Sequence, residues 1–234
     1  MSPSRADDTG SPGSSRRRIV LVVAIWAVAI VAGAFVDRSV AAWVHGQGLD
    51  GTIRGQWYAQ IIKVPGTYWP AVVLAGVLWV VHPLNWQAAG FMCLSGLTGL
   101  VAAICKWGVG RTRPFRLPGD IPQPAPFELT PFRDGLLGVF HQSNLAFPSG
   151  HACTAFATAA ALAMLLPGWR WGFYAVATLV AVERVAENAH YVSDVIAGAA
   201  FGILGVRLIA WICDRLMKKS NAPAATMSAE ECAH

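Results

Sequence analysis

Three short clusters of polar residues stand at the ends of apolar runs in a chain that is otherwise mostly hydrophobic. The first holds Lys106, Arg111, Arg113 and Pro114; the second is Pro148, Ser149, Gly150 and His151; the third is Arg184, His190 and Asp194. Ionisable groups beside apolar runs are functional candidates. Lys106, Arg111, Arg113 and Arg184 supply positive charge. A guanidinium is a planar fork that matches phosphate oxygens, and an ammonium is a point charge. Ser149 and Gly150 precede a helix start, where free N–H groups and the helix dipole favour an anion. His190 and Asp194 are four apart, so on a helix they share a face. A carboxylate bonded to one imidazole nitrogen fixes the tautomer and leaves the other as nucleophile or base. His151 then serves as general acid. Such a set is what phosphoryl transfer through a phosphohistidine requires. No acidic cluster accompanies it to hold a divalent metal, so no metal or other cofactor is expected.

The elements that must position these groups are membrane spans. The chain has 234 residues, 55% hydrophobic and 13% charged, against about 25% charged for soluble domains. That composition excludes a disordered chain and an ordinary soluble enzyme. The net charge is +5, but the basic residues lack the clustering and aromatic interleaving of a nucleic-acid surface. Ten Trp suit a protein anchored at two membrane–water interfaces. Apolar runs at 19–36, 64–81, 84–105, 152–166, 169–182 and 195–213 predict six transmembrane helices. Arginines at 16–18 precede the first, and Arg215, Lys218 and Lys219 follow the last, so both termini read as cytoplasmic. The predicted fold is therefore an all-α integral membrane protein. By parity, all three polar clusters fall on the outer face.

The arginines at 16–18, the apolar run and Ala-Gly-Ala at 32–34 imitate a signal peptide. The run exceeds the roughly 7–15 residues of a signal core, so an uncleaved span is expected. Residues 1–15 and 220–234 read as disordered cytoplasmic tails around a six-span domain at 16–219. Residues 37–63 mix Trp43, Trp57, Tyr58 and Ile61 with Arg38, Arg54 and Lys63, which suggests an interfacial amphipathic helix. The proline-rich stretch 106–150 predicts an extended, rigid cover, with Phe115, Phe127, Phe132, Leu136 and Leu137 shaping the entrance. Within it Arg111, Arg116 and Arg133 read as loop charges. Glu187 and Asn188 read as turn caps; His45, His82, His141 and His234 read as structural or solvated. The cysteines Cys93, Cys105, Cys153 and Cys213 read as small buried hydrophobes, outside any disulfide framework. Gly198 and Gly202, four apart, permit close helix approach.

The clusters resemble the three signatures of the type 2 phosphatidic acid phosphatase superfamily, related to the vanadium haloperoxidases. Lys106, six residues, then Arg113-Pro114 is similar to the first; Pro148-Ser149-Gly150-His151 to the second; Arg184, five residues, His190, three residues, Asp194 to the third. Glu183 stands where the third signature usually has Ser. A carboxylate there can pair with Arg184 or add negative charge near a phosphate. The resemblance implies roles: His190 the nucleophile, Asp194 its partner, His151 the acid for the leaving oxygen. It also implies that Lys106, Arg113, Ser149, Gly150 and Arg184 bind phosphate. It further implies a metal-independent hydrolase of lipid phosphates or lipid-linked diphosphates at the outer face of the cytoplasmic (inner) membrane. Undecaprenyl diphosphate, phosphatidylglycerol phosphate, phosphatidate and lipid A phosphate are the implied substrates. A vanadate-dependent haloperoxidase, a lipid-to-lipid phosphotransferase and a non-enzymatic headgroup carrier are the alternatives. Six spans in a short chain disfavour the first, and the His190–Asp194 pair disfavours the last.

Overall fold

In lipid every backbone N–H and C=O has to be satisfied within its own segment, so long apolar runs form helices. The computed structural model describes residues 12–81, 86–114, 130–132 and 144–220, and those residues form nine α-helices. The order is α1 (Pro12–Gly46), the short α2 (Leu49–Ile53) and α3 (Trp57–Lys63), then α4 (Tyr68–Val81) and α5 (Trp86–Gly96). There follow α6 (Thr98–Val109), α7 (Gly150–Leu165), α8 (Arg170–Ala186) and α9 (Val192–Ser220). Among the described residues, β pairing is a single antiparallel bridge between Thr112 and Leu145.

All six predicted runs are mainly helical where they are described, with Thr67, Leu97 and Leu166 outside the helices. By length and composition three helices can cross a membrane: Arg17–Gly46, Gln87–Val109 and Val192–Met217. The pair Trp57–Gly66 and Tyr68–Val81, bent by 60°, makes a fourth if it is one broken span rather than a re-entrant loop. The helices α7 and α8 are shorter, at 16 and 17 residues. The bend falls at Thr67, in extended conformation just after the 3-10 turn Val64–Gly66, where Pro65 ends the α-helical ladder. Gly66 lies against the start of α7, with its missing Cβ only 2.9 Å from the His151 Cβ. The turn thus passes directly over one of the candidate residues.

Exposed apolar side chains clothe the outside: Val28 and Phe35 on α1, Val73 and Val80 on α4, Leu179 and Val182 on α8. A face of that size is unstable in water and matches hydrocarbon. Exposed tryptophans lie toward both ends of the helices, with Trp43, Trp57 and Trp69 at one and Trp79, Trp169, Trp171 and Trp211 at the other. That is the distribution expected of two interfaces. The described chain is an all-helical, membrane-embedded, multi-pass protein.

The helix α7 is the central post, packed on α8, α9, α5 and α6. Its buried positions are small: Ala152, Ala155, Ala157, Ala159, Ala160 and Ala161. Small side chains let helix backbones approach closely where no water is present to drive association. Gly198 and Gly202 are where α9 meets α7; a Cβ on Gly202 would lie 2.3 Å from the Cys153 carbonyl oxygen.

Three expectations need adjustment. Residues 37–46 continue α1 rather than opening an interfacial helix, and α1 already begins at Pro12, inside the stretch read as tail. The apolar run 84–105 does hold as the crossing Gln87–Val109, with one turn residue, Leu97, between α5 and α6. Cys93, Cys105, Cys153 and Cys213 are free thiols, but only Cys153 is buried, and Cys93 is exposed. His82, Phe115, Arg116, Phe127, Arg133, Leu136, Leu137, His141 and His234 lie outside the described residues, as do residues 1–11 and 221–234.

Candidate active site

The end of α6 carries Lys106 in its last turn, and the helix stops at Gly110 in the left-handed region, φ 69°. A Cβ there would lie 1.9 Å from the Thr130 carbonyl oxygen, so a side chain is excluded by both sterics and backbone. The chain then turns so that Arg113 N–H donates to the Asn144 carbonyl (3.2 Å) and Ala146 N–H to the Arg111 carbonyl (2.6 Å). These bonds tie the two ends of the long loop together beside α7. Arg113 Nε donates to the Leu145 carbonyl at 3.1 Å.

Ser149 is the N-cap of α7, its Oγ accepting from Ala152 N–H at 3.4 Å. Its own N–H donates to the Asp194 carbonyl at 2.9 Å, which fixes the α7 start against α9. The Lys106 ammonium faces that start: a Cβ on Gly150 would be 3.8 Å from Nζ. A buried ammonium and a helix N-terminus together make an anion cradle. Lys106, Arg113, Arg184 and His190 all lie close enough to act electrostatically on His151.

Arg184 sits near the end of α8. Its Nε and Nη2 donate to Glu183 at 2.6 and 2.7 Å, and Nη2 also donates to Glu187 at 2.7 Å. Lys63 of α3 pairs with Glu187 and stands 3.8 Å from Glu183. Arg54 donates to the Glu187 carbonyl at 3.0 Å. So the carboxylate at position 183 does pair with Arg184, and Glu187 is an ion-pair partner rather than a turn cap alone. Lys63 and Arg54, read as interfacial charges, reach back to the site.

Beyond Glu187 the backbone turns through Asn188, at φ 55°, and the N–H groups of Ala189 and His190 both donate to the Arg184 carbonyl. This wrapped turn, and not a helix, positions His190; α9 begins only at Val192. His190 is buried, and its Nδ1 lies 3.7 Å from Asp194 Oδ2, longer than a hydrogen bond. Nδ1 has no hydrogen-bond partner among the described residues. Asp194 is held elsewhere as well: Oδ2 accepts Tyr191 N–H at 2.8 Å and Oδ1 accepts Arg111 Nη1 at 2.6 Å. The bond from Tyr191 is half of a capping box, a third-position carboxylate returning to the N-cap N–H. The expected carboxylate–imidazole hydrogen bond is therefore a facing contact here, because the α9 N-terminus claims the same oxygen.

Arg111, read as a loop charge, is buried between α1 and α9. Its Nη2 donates to Asp37 at 2.8 Å, and its guanidinium lies over the Tyr191 ring at 3.9 Å. Asp37 and Ser193 were not among the sequence candidates. The only sequence signal for Asp37 is an acidic residue at the edge of the first apolar run.

Burial holds the His190 imidazole well below its ordinary range, and the charges of Lys106, Arg113 and Arg184 push the same way. The folded protein thus refuses a proton that the unfolded chain accepts once pH falls through the ordinary imidazole value. The unfolded state binds more protons, so this group makes stability rise with pH and fall on acidification below about 6.5. Wild type is expected to lose more stability than His190→Asn on going from about pH 7.5 to about pH 5.5, by on the order of 1 kcal/mol. Thermal unfolding of both proteins in detergent at the two pH values checks this, and equal losses would refute it.

Residues 85–218 match the family model of the PAP2 superfamily. The chain is 38% identical over 119 residues to a lipid A 1-phosphatase of Rhizobium etli, covering 51% of this chain and 47% of that protein. A lipid A 1-phosphatase of Rhizobium johnstonii is 37% identical over 119 residues, covering 51% and 45%. One of Porphyromonas gingivalis is 38% identical over 77 residues, covering 31% and 17%. The match thus spans about half the length of the first two relatives, or less. A transmembrane PAP2-type phosphatidylglycerolphosphate phosphatase from Bacillus subtilis aligns over 80% of this chain and 96% of its own, at 21% identity and a TM-score of 0.48. With more than half of its residues matched, including all three polar clusters, the chain belongs to the PAP2 superfamily.

Proposed function

We propose that this protein is a membrane lipid phosphatase working through a phosphohistidine on His190. The observation that carries the reading is the convergence, around a buried imidazole facing a carboxylate, of Lys106, Arg113 and Arg184 with the start of α7. Lys106, Arg113, Arg184, Ser149 and Gly150 receive the phosphate, their positive charge and N–H groups matching its oxygens. The His190 nitrogen facing away from Asp194 attacks phosphorus. The bond from phosphorus to the lipid oxygen breaks, and that oxygen keeps the electron pair and takes a proton from His151, whose imidazolium form the bound phosphate's negative charge stabilises against the surrounding cations. Water, giving a proton to His151, then displaces His190 and frees inorganic phosphate. Asp194 offsets the positive charge that develops on the imidazole.

A cavity of about 670 Å³ supports a lipid substrate. Tyr68, Trp69, Val72, Leu97 and Leu100 line one part of it, and Lys106, Gly150 and His151 line another. Such a lining receives an apolar chain beside a charged headgroup. The relatives' printed activity puts lipid A phosphate first among the candidate substrates, ahead of undecaprenyl diphosphate, phosphatidylglycerol phosphate and phosphatidate. Three of the helical runs, or four with the bent pair, are long and apolar enough to cross; with Arg17 and Arg18 at one end and Arg215 at the other, the six apolar runs of the sequence favour our reading of six spans with cytoplasmic termini. On that reading the site lies on the outer face of the inner membrane, within a single domain at 16–219.

The test is phosphate release by the purified full-length protein in detergent from each of these lipids. Release is expected to survive excess chelator and to be inhibited by vanadate, which mimics five-coordinate phosphorus. Activity lost on chelation and restored by magnesium would refute the metal-free mechanism. No release from any of the four lipids would refute the phosphatase reading.

A further inference from the structure

The structure assigns Asp37 and Arg111 as positioning residues that set the charge and orientation of Asp194, so that α1 is a working part of the active site. This rests on the phosphatase reading above. Asp37 lies outside residues 85–218, and neither the family match nor the three polar clusters point to it.

The geometry begins with the approach of α1 to α9. A Cβ on Gly33 would stand 3.0 Å from Ile196 Cδ1, 3.2 Å from Ser193 Cα and 3.3 Å from Ser193 N, so the two backbones nearly touch. One turn later, Asp37 is 1% exposed. Its Oδ1 accepts Ser193 N–H at 2.9 Å, one of the orphan donors in the first turn of α9. Its Oδ2 accepts from Ser193 Oγ and, at 2.8 Å, from Arg111 Nη2. Arg111 Nη1 donates to Ser193 Oγ at 2.8 Å and to Asp194 Oδ1 at 2.6 Å. Asp194 then presents Oδ2 toward His190 Nδ1 at 3.7 Å. A single buried guanidinium therefore bridges two carboxylates, one from α1 and one from α9.

Charge is the reason this matters for chemistry. Asp194 paired with Arg111 alone is a neutral unit, with no surplus to offer a developing imidazolium. Asp37 neutralises Arg111, and the group of three keeps one net negative charge. In a buried site, where screening is weak, that surplus falls on the groups nearest it. Lys106, Arg113 and Arg184 already act on His190 from α6, the following loop and α8, all with the opposite sign. The negative charge against the imidazole comes through Asp194, and Asp37 keeps it available.

The test uses three variants of the full-length protein: Asp37→Asn, Arg111→Gln and the double. Asp37→Asn leaves a neutral Arg111–Asp194 pair, and Arg111→Gln leaves two facing carboxylates. The double leaves Asp194 as the one charge, which restores the net value. Each single variant is expected to lower kcat about 10- to 100-fold at little changed KM, and the double is expected to exceed either single, as coupled neighbours do. A purely structural role predicts the reverse, because two lost contacts destabilise more than one. Should one single variant fail to fold, the other against the double gives the same decision. Wild-type release with a double variant no better than the singles overturns this proposal alone. No release by wild type refutes the phosphatase reading and this proposal with it.

Discussion

His190→Ala is expected to abolish turnover and to leave no phosphoenzyme to trap. The proposed reaction makes and breaks its covalent bond on this ring, so no other group can take over the step. Removal of a nucleophile or its base from a protease triad costs on the order of 10⁶-fold in kcat, and a loss of that order takes phosphate release to background here. The imidazole is suited to the task because burial favours its neutral, nucleophilic form. Folding should survive, since the surrounding turn is held by backbone bonds from Ala189 and His190 to the Arg184 carbonyl. The measurement is acid-quenched labelling with a phosphate-labelled lipid, beside steady-state release. Label on wild type and none on His190→Ala supports the assignment. Label retained on the variant, or found on Ser149 in wild type, refutes it.

Asp194→Asn is expected to lower kcat by about 10²–10⁴-fold while substrate affinity changes little; the corresponding change in a serine protease triad costs about 10⁴-fold. Both oxygens of Asp194 accept, one from Arg111 and one from Tyr191 N–H. An Asn amide has one acceptor and one donor end. Whichever way it flips, its NH₂ faces a donor: the guanidinium in one orientation, the Tyr191 N–H in the other. The second of these also turns a donor toward His190 Nδ1, which favours the wrong tautomer. Loss of charge removes the offset for the phosphorylated imidazole in both. kcat and KM for wild type and variant across a range of pH decide the matter. Near-normal kcat would mean that Asp194 serves only to cap α9.

The polar residues proposed to carry the chemistry were legible because each cluster is local. Lys106 and Arg113, Ser149 through His151, and Arg184 through Asp194 each span only a few residues, and spacing within such a stretch is visible without a fold. The six helical runs were legible for a related reason. In lipid a single long apolar segment satisfies its own backbone, so its conformation needs no distant partner.

Burial and partnership were decided only by the tertiary structure. Nothing near Arg111 in the chain distinguishes it from a solvated loop charge; Asp37, 74 positions away, and Asp194, 83 positions away, make it a buried bridge. Lys63 and Arg54 acquire their contacts with Glu183 and Glu187 only because α2 and α3 fold back onto α8. The long His190–Asp194 contact likewise depends on where α9 starts and on what else needs that carboxylate. A residue's type fixes which charge and which donors it brings. The distance to its partners, and hence whether that charge is screened, paired or left over for catalysis, is set by packing between segments far apart in sequence.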